Sequence, residues 1–241
     1  MGRPSYVESW LSEQCVSINE ETDPHTWTTD YIAKLYGASI SPPSRAFVGT
    51  PLSVESLILY SLIRGEVASL GRLSEESGKE IVERAARDPH VKDLARWFVY
   101  EAAINGPPIP VNMHSLAYNF VRNVTEKGRR GERGWKLLNR DLAGVTAMLV
   151  LTSPDGFGLH ASRNSTGTDL CARDVLCRAT EGTSWAAITS DIADGIWRRR
   201  NELLLRFDIL GMLSAIESLG HFLDRPKALA LLNELEDAPT G

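Results

Sequence analysis

Between Val91 and Tyr118 the chain, VKDLARWFVYEAAINGPPIPVNMHSLAY, starts an apolar helix face, stops it and starts again. Leu94, Trp97, Phe98 and Ile104 fall at helical spacing, Asn105-Gly106 ends the run, and Pro107, Pro108 and Pro110 forbid its continuation. Proline supplies no backbone donor and clashes with the preceding turn, so helix gives way to a turn here and resumes near Asn112. A chain built around such a segment packs helices on helices.

The flanking sequence repeats that pattern. Val54, Leu57, Ile58, Leu62, Ile63 and Val67 predict a strong helix, opened by Ser53 and closed by Gly71. Ser74 caps the next segment, and Asp88 with Pro89 suits the first turn of the one after it. Before these, a helix over 5–18 with Ser5 as cap and a shorter one from about Thr28 to Tyr36 precede a loop at 38–51 that holds three prolines. After them, Leu137 to Leu151 is helical, with an LVLT end equally suited to a strand. The stretch from Thr152 to Asp169 is loop-like, and Asp169 to Ala179 is a short helix. Thr183 or Ser184 opens a long helix through Trp185, Ile188, Ile192, Ile196 and Trp197. Apolar helix then runs from Leu203 to Leu223, and Pro226 begins a last one. The expected fold is all-α, an irregular multi-helix domain with an N-terminal arm and linker at 1–51, a helical core at 52–238 and a short tail at 239–241.

Charge separates the function classes. The 241 residues carry a net −5, which excludes a chain that coats nucleic acid by bulk positive charge but leaves room for a local basic groove. Lys127, Arg129, Arg130, Arg133, Lys136 and Arg140 oppose Glu132 alone, a local charge of +5. Gly128, Gly131 and Gly134 make the first part of that segment flexible. Arginines on a mobile backbone follow phosphates, and Trp135 offers a face to an unpaired base. A solvated loop, with Trp135 opening the next helix core, fits the same residues. Arg198, Arg199 and Arg200 form a second basic cluster, near enough to Asp191, Asp194, Glu202 and Asp208 to read also as a salt-bridged helix surface.

No other constellation carries chemistry. His25, His90, His114, His160 and His221 are scattered, and Cys171 and Cys177 have no second pair to complete a zinc site. Phosphate-binding glycine loops and nucleophile elbows are absent, so no catalytic residue, metal or cofactor is expected and the chain is read as not an enzyme. Three cysteines suit free thiols, and the N-terminus lacks the apolar run of a signal peptide, so a cytoplasmic or virion location is expected, without membrane.

WFVYEAAINGPPIPVNMHSLAY, residues 97–118, resembles the central segment of coat proteins from flexuous filamentous plant RNA viruses. In that family an aromatic-rich helix runs into an Ile-Pro-Pro-Ala-Asn-Trp turn and a short Leu-Gly-Tyr. Here Ile109-Pro110-Val111-Asn112-Met113 and Leu116-Ala117-Tyr118 take similar places, over about a tenth of the chain. The resemblance implies a helical nucleocapsid subunit that binds single-stranded RNA and self-associates through terminal arms. The alternative is an α-helical interaction or regulatory subunit that docks protein partners without nucleic acid.

Overall fold

The computed structural model describes residues 5–37, 53–122, 131–162, 170–181 and 187–238, with backbone alone for 36, 37, 105, 121, 122 and 131–136. The described residues are all-α, and the only β pairing among them is an isolated bridge between His160 and Cys171. In chain order they form α1 (Tyr6–Val16), α2 (Pro24–Gly37), α3 (Val54–Leu70), α4 (Glu75–Ala85) and α5 (Pro89–Asn105). A 3-10 turn (Val111–Met113) leads into α6 (His114–Arg122) and α7 (Gly131–Thr152). The rest are α8 (Ala172–Thr180), α9 (Ser190–Arg198), α10 (Arg200–Ser218) and α11 (Arg225–Asp237).

These helices sort into two compact units. The described residues of the first lie in 5–37, 137–208 and 238; those of the second lie in 53–122, 131–136 and 209–237.

In the first unit, α1 starts on a capping box in which Ser5 and Glu8 satisfy each other's backbone donors. The helix buries Trp10 against Phe207 and Tyr31. In α2 Trp27 stacks on Tyr31, and the buried Tyr31 hydroxyl donates to Thr146 Oγ1 of α7 at 2.8 Å. Residues 5–37, expected on an arm, thus supply buried side chains to this unit. The linker at 38–51 and the tail at 239–241 lie outside the described residues.

Burial pushes the Tyr31 phenol well above its ordinary value, and the Thr146 hydroxyl offsets part of that rise. An unfolded tyrosine releases its proton near pH 10, whereas the folded one retains it. The stabilisation is therefore complete below that pH and lost above it, at up to about 1.4 kcal/mol per pH unit. Urea midpoints measured between about pH 9 and 12 should fall less steeply for Tyr31→Phe than for the parent chain.

In the second unit, α3 runs from its Ser53 cap to Gly71, which closes it at a φ of 68°. Ile58, Leu59, Leu62 and Ile63 are among its fully buried side chains. Glu66, 8% exposed, accepts from Ser74 N at 2.7 Å, Ser74 Oγ at 3.0 Å and Ser77 Oγ at 2.7 Å, which ties the end of α3 to the start of α4. Asp88 and Pro89 open α5 as expected. Glu75 of α4 accepts from the Val111 and Asn112 backbone donors and so holds the turn after the prolines. Gly78 is what lets α4 reach that turn, since a Cβ there would lie 2.9 Å from the Pro110 Cβ. Leu94 and Phe98 are core, but Ile104, expected beside them, is 64% exposed with Tyr100 at 61%, one turn earlier on the same face.

Two expectations are corrected and one open alternative is settled. Gly131 and Gly134 lie in the first turns of α7 rather than in a flexible loop, and the LVLT end stays helical to Thr152. The helix expected from Thr183 or Ser184 begins instead at Ser190 with Thr189 at its cap position. Ile188 is held outside it because its backbone N–H donates to the Thr180 hydroxyl at 3.1 Å. The junction between α9 and α10 falls at Arg199.

Candidate nucleic-acid interface

The second basic cluster sits where α9 ends and α10 begins. Arg198 closes α9, Arg199 leaves helical geometry at φ −91° and ψ 15°, and Arg200 opens α10. Cations here are favoured by the partial negative charge at the C-terminus of α9. The apolar side of α9 buries Ala193 and Ile196. Gly144 of α7 permits a close approach, since a Cβ at that position would stand 2.9 Å from Ile196 Cδ1 and 3.4 Å from Ile188 Cδ1. That contact brings Arg199 to the turn of α7 that carries Arg140 and Asp141.

The structure thereby brings Arg140, the last residue of the first basic segment, to Arg199 of the second. Arg140 Nε and Nη2 donate to Asp141 Oδ1 at 2.9 and 2.7 Å, and Arg199 Nη2 donates to Asp141 Oδ2 at 2.7 Å. Asp141 is 6% exposed, yet one carboxylate answers two guanidiniums, so among the described residues a positive charge is left over. The side chain of Arg199 is 41% exposed, so part of its donor fork faces solvent.

The flanking arginines are held differently. Arg198 Nε donates to the Asp194 carbonyl at 3.3 Å, while the Asp194 carboxylate pairs with Arg173 at 3.3 Å. Arg200 Nη1 donates to the Trp197 carbonyl at 3.2 Å, and its guanidinium carbon lies 5.2 Å from the Trp197 ring centroid. Among the described residues neither Arg198 nor Arg200 has a carboxylate within ion-pair distance. The expected salt-bridged surface is realised in part: Glu202 pairs with Arg206 at 3.1 Å, whereas Asp208 accepts instead from the Val7 backbone N–H at 3.0 Å.

Lys127, Arg129 and Arg130 lie outside the described residues. Arg133, Trp135 and Lys136 belong to the first turns of α7, where the backbone alone is described. Asp141, which unites Arg140 with Arg199, was not singled out from the sequence. Beside Arg140 it looks like one more surface acid, and its second partner lies 58 residues away.

No group of His, Cys, Asp and Glu among the described residues is placed to hold a metal ion. Cys15 and Cys171 are buried free thiols and Cys177 is a half-buried one. No described helix is long and apolar enough to cross a membrane. Comparison with family models, with characterised proteins and with solved structures found no match to this chain.

Proposed function

We propose that this protein binds single-stranded nucleic acid, RNA in preference to DNA, and self-associates as a coat-like helical subunit. The observation that carries the reading is the meeting of Arg140 and Arg199 on a single carboxylate, with Arg198 and Arg200 alongside. Surplus positive charge at a helix junction, next to a Trp–Arg stack, suits a flexible phosphate backbone and unpaired bases. The resemblance of residues 97–118 to filamentous-virus coat proteins points the same way. Binding of this kind neutralises phosphates and releases counterions without reading sequence.

Arg198 and Arg200 test the reading because neither holds a carboxylate among the described residues. Replacing both with alanine should weaken binding to every strand alike. It should also lower the slope of log affinity against log salt by about 1.4, two contacts at roughly 0.7 each for single strands. Filter binding at several salt concentrations measures it, and an unchanged slope defeats the proposal.

A second reading, an interaction subunit without nucleic acid, is favoured by Tyr100 and Ile104, two large apolar side chains exposed one turn apart on α5. A discrete protein partner, with an absorbance ratio at 260 and 280 nm free of nucleic acid, would support it.

A further inference from the structure

Arg87, Lys92 and Arg96 line a groove of about 680 Å³ in the second unit, between the end of α4, the start of α5 and α6. Every ionisable side chain in its lining is a cation. Lys92 and Arg96 are one turn apart on α5, so they share a face, and Arg87 stands just before the Asp88 cap.

The neighbouring acids are already engaged. Asp88 accepts from His90 N at 2.7 Å and from Ser53 Oγ at 2.9 Å, and Glu83 pairs with Lys79 at 3.8 Å. Asp93 lies 3.8 Å from Arg96. Among the described residues neither Arg87 nor Lys92 has a carboxylate within ion-pair distance. Arg84 shows the contrast, being held by both Glu80 and Glu236. Two cations that no described carboxylate holds in an ion pair, lining one groove, are a place for an anion.

Apart from Asn119, the remainder of the lining is apolar. The Arg96 guanidinium carbon stands 5.2 Å from the Phe120 ring centroid, and Leu116 and Ala85 extend the surface. A planar guanidinium backed by an aromatic ring is a platform for a further planar ring. The volume falls in the range of small-molecule sites. Bare phosphate would leave the platform unused, and an apolar ligand would leave the cations unanswered.

We infer that this groove binds a nucleoside monophosphate unit, its phosphate between Arg87 and Lys92 and its base against Arg96 and Phe120. The unit has two possible sources, a free nucleotide or one residue of a strand. The groove belongs to the second unit and the Arg140–Asp141–Arg199 cluster to the first, and the inference does not rest on the role proposed for that cluster.

Calorimetric titration of the full chain with adenosine and uridine monophosphate tests the inference. Arg87→Glu with Lys92→Glu should weaken binding at least tenfold, and both positions are exposed, so helix content should not change. Arg96→Lys, which keeps the charge and loses the plane, should weaken the nucleotides several-fold while leaving inorganic phosphate as it was. Arg198→Ala with Arg200→Ala should leave mononucleotide binding intact. Displacement of the nucleotide by a ten-residue oligonucleotide identifies the source as a strand; failure to displace identifies it as the free nucleotide. Three results overturn the inference: no mononucleotide binding, inorganic phosphate binding as tightly, or a short glutamate peptide binding more tightly. Nucleotide binding by a protein that ignores strands would defeat the function proposed above and leave this site standing.

Discussion

Asp141→Ala is expected to destabilise the protein by about 3 kcal/mol, because it strips the shared counter-charge from two arginines at once. The three hydrogen bonds that Arg140 and Arg199 make to this carboxylate are 2.7 to 2.9 Å long, and Asp141 itself is 6% exposed. The cost stays at the lower end of the range for broken buried pairs because Arg199 can turn into water. A drop in the urea midpoint with an unchanged m value is the expected readout. Asp141 also competes with any phosphate for both guanidiniums. The same variant should therefore bind single strands more tightly and with a steeper salt dependence, provided it is assayed well below its melting temperature. Loss of stability without that gain would mean that the pair only braces α7 against the α9–α10 junction.

Gly65→Val should cost about 3 kcal/mol, by forcing apart two segments with no room to yield. A Cβ at residue 65 would lie 2.7 Å from the Leu223 carbonyl oxygen and 3.2 Å from the Phe222 Cβ. That backbone is fixed, since Leu223 N donates to the buried Ser61 hydroxyl at 3.0 Å and α11 packs along α3. The Arg64 guanidinium between the Tyr60 and Phe222 rings, 5.9 and 5.4 Å from their centroids, would lose its stack as well. Thermal melts of Gly65→Ala and Gly65→Val separate the effects. If alanine is neutral or stabilising through its better helix propensity, the approach is looser than the distances indicate.

Local chemistry was legible in the sequence and pairing across the chain was not. Ser5, Ser53, Ser74 and the Asp88–Pro89 pair all open helices as read, because a cap satisfies donors within its own first turn. The start of α9 was misplaced for a related reason. Thr183-Ser184 and Thr189-Ser190 offer the same cap chemistry six residues apart, and the hydrogen bond from Ile188 N to Thr180 favours the second. At Gly131 and Gly134 composition suggested a loose backbone, yet both are carried into a 22-residue helix whose later turns bury Val145, Met148 and Leu151.

The groove cations were passed over because Asp88 and Asp93 cancel them in any running charge sum. The folded arrangement turns Asp88 toward Ser53 and the His90 backbone and sets Asp93 on Arg96, which leaves Arg87 and Lys92 with no carboxylate at ion-pair distance among the described residues. Asp141 was equally unreadable, since nothing near Arg140 announces that Arg199 will arrive at the same carboxylate.

The order in which the chain supplies its first unit has a consequence during synthesis. Helices α1 and α2 leave the ribosome before α8, which packs on α2 and follows about 140 residues later. At ordinary translation speeds that is a wait of roughly 7 to 30 seconds. Through it Trp10, Tyr31 and Ile32, buried in the finished fold, stay wet and sticky, and a nascent chain in that condition is one that chaperones recognise.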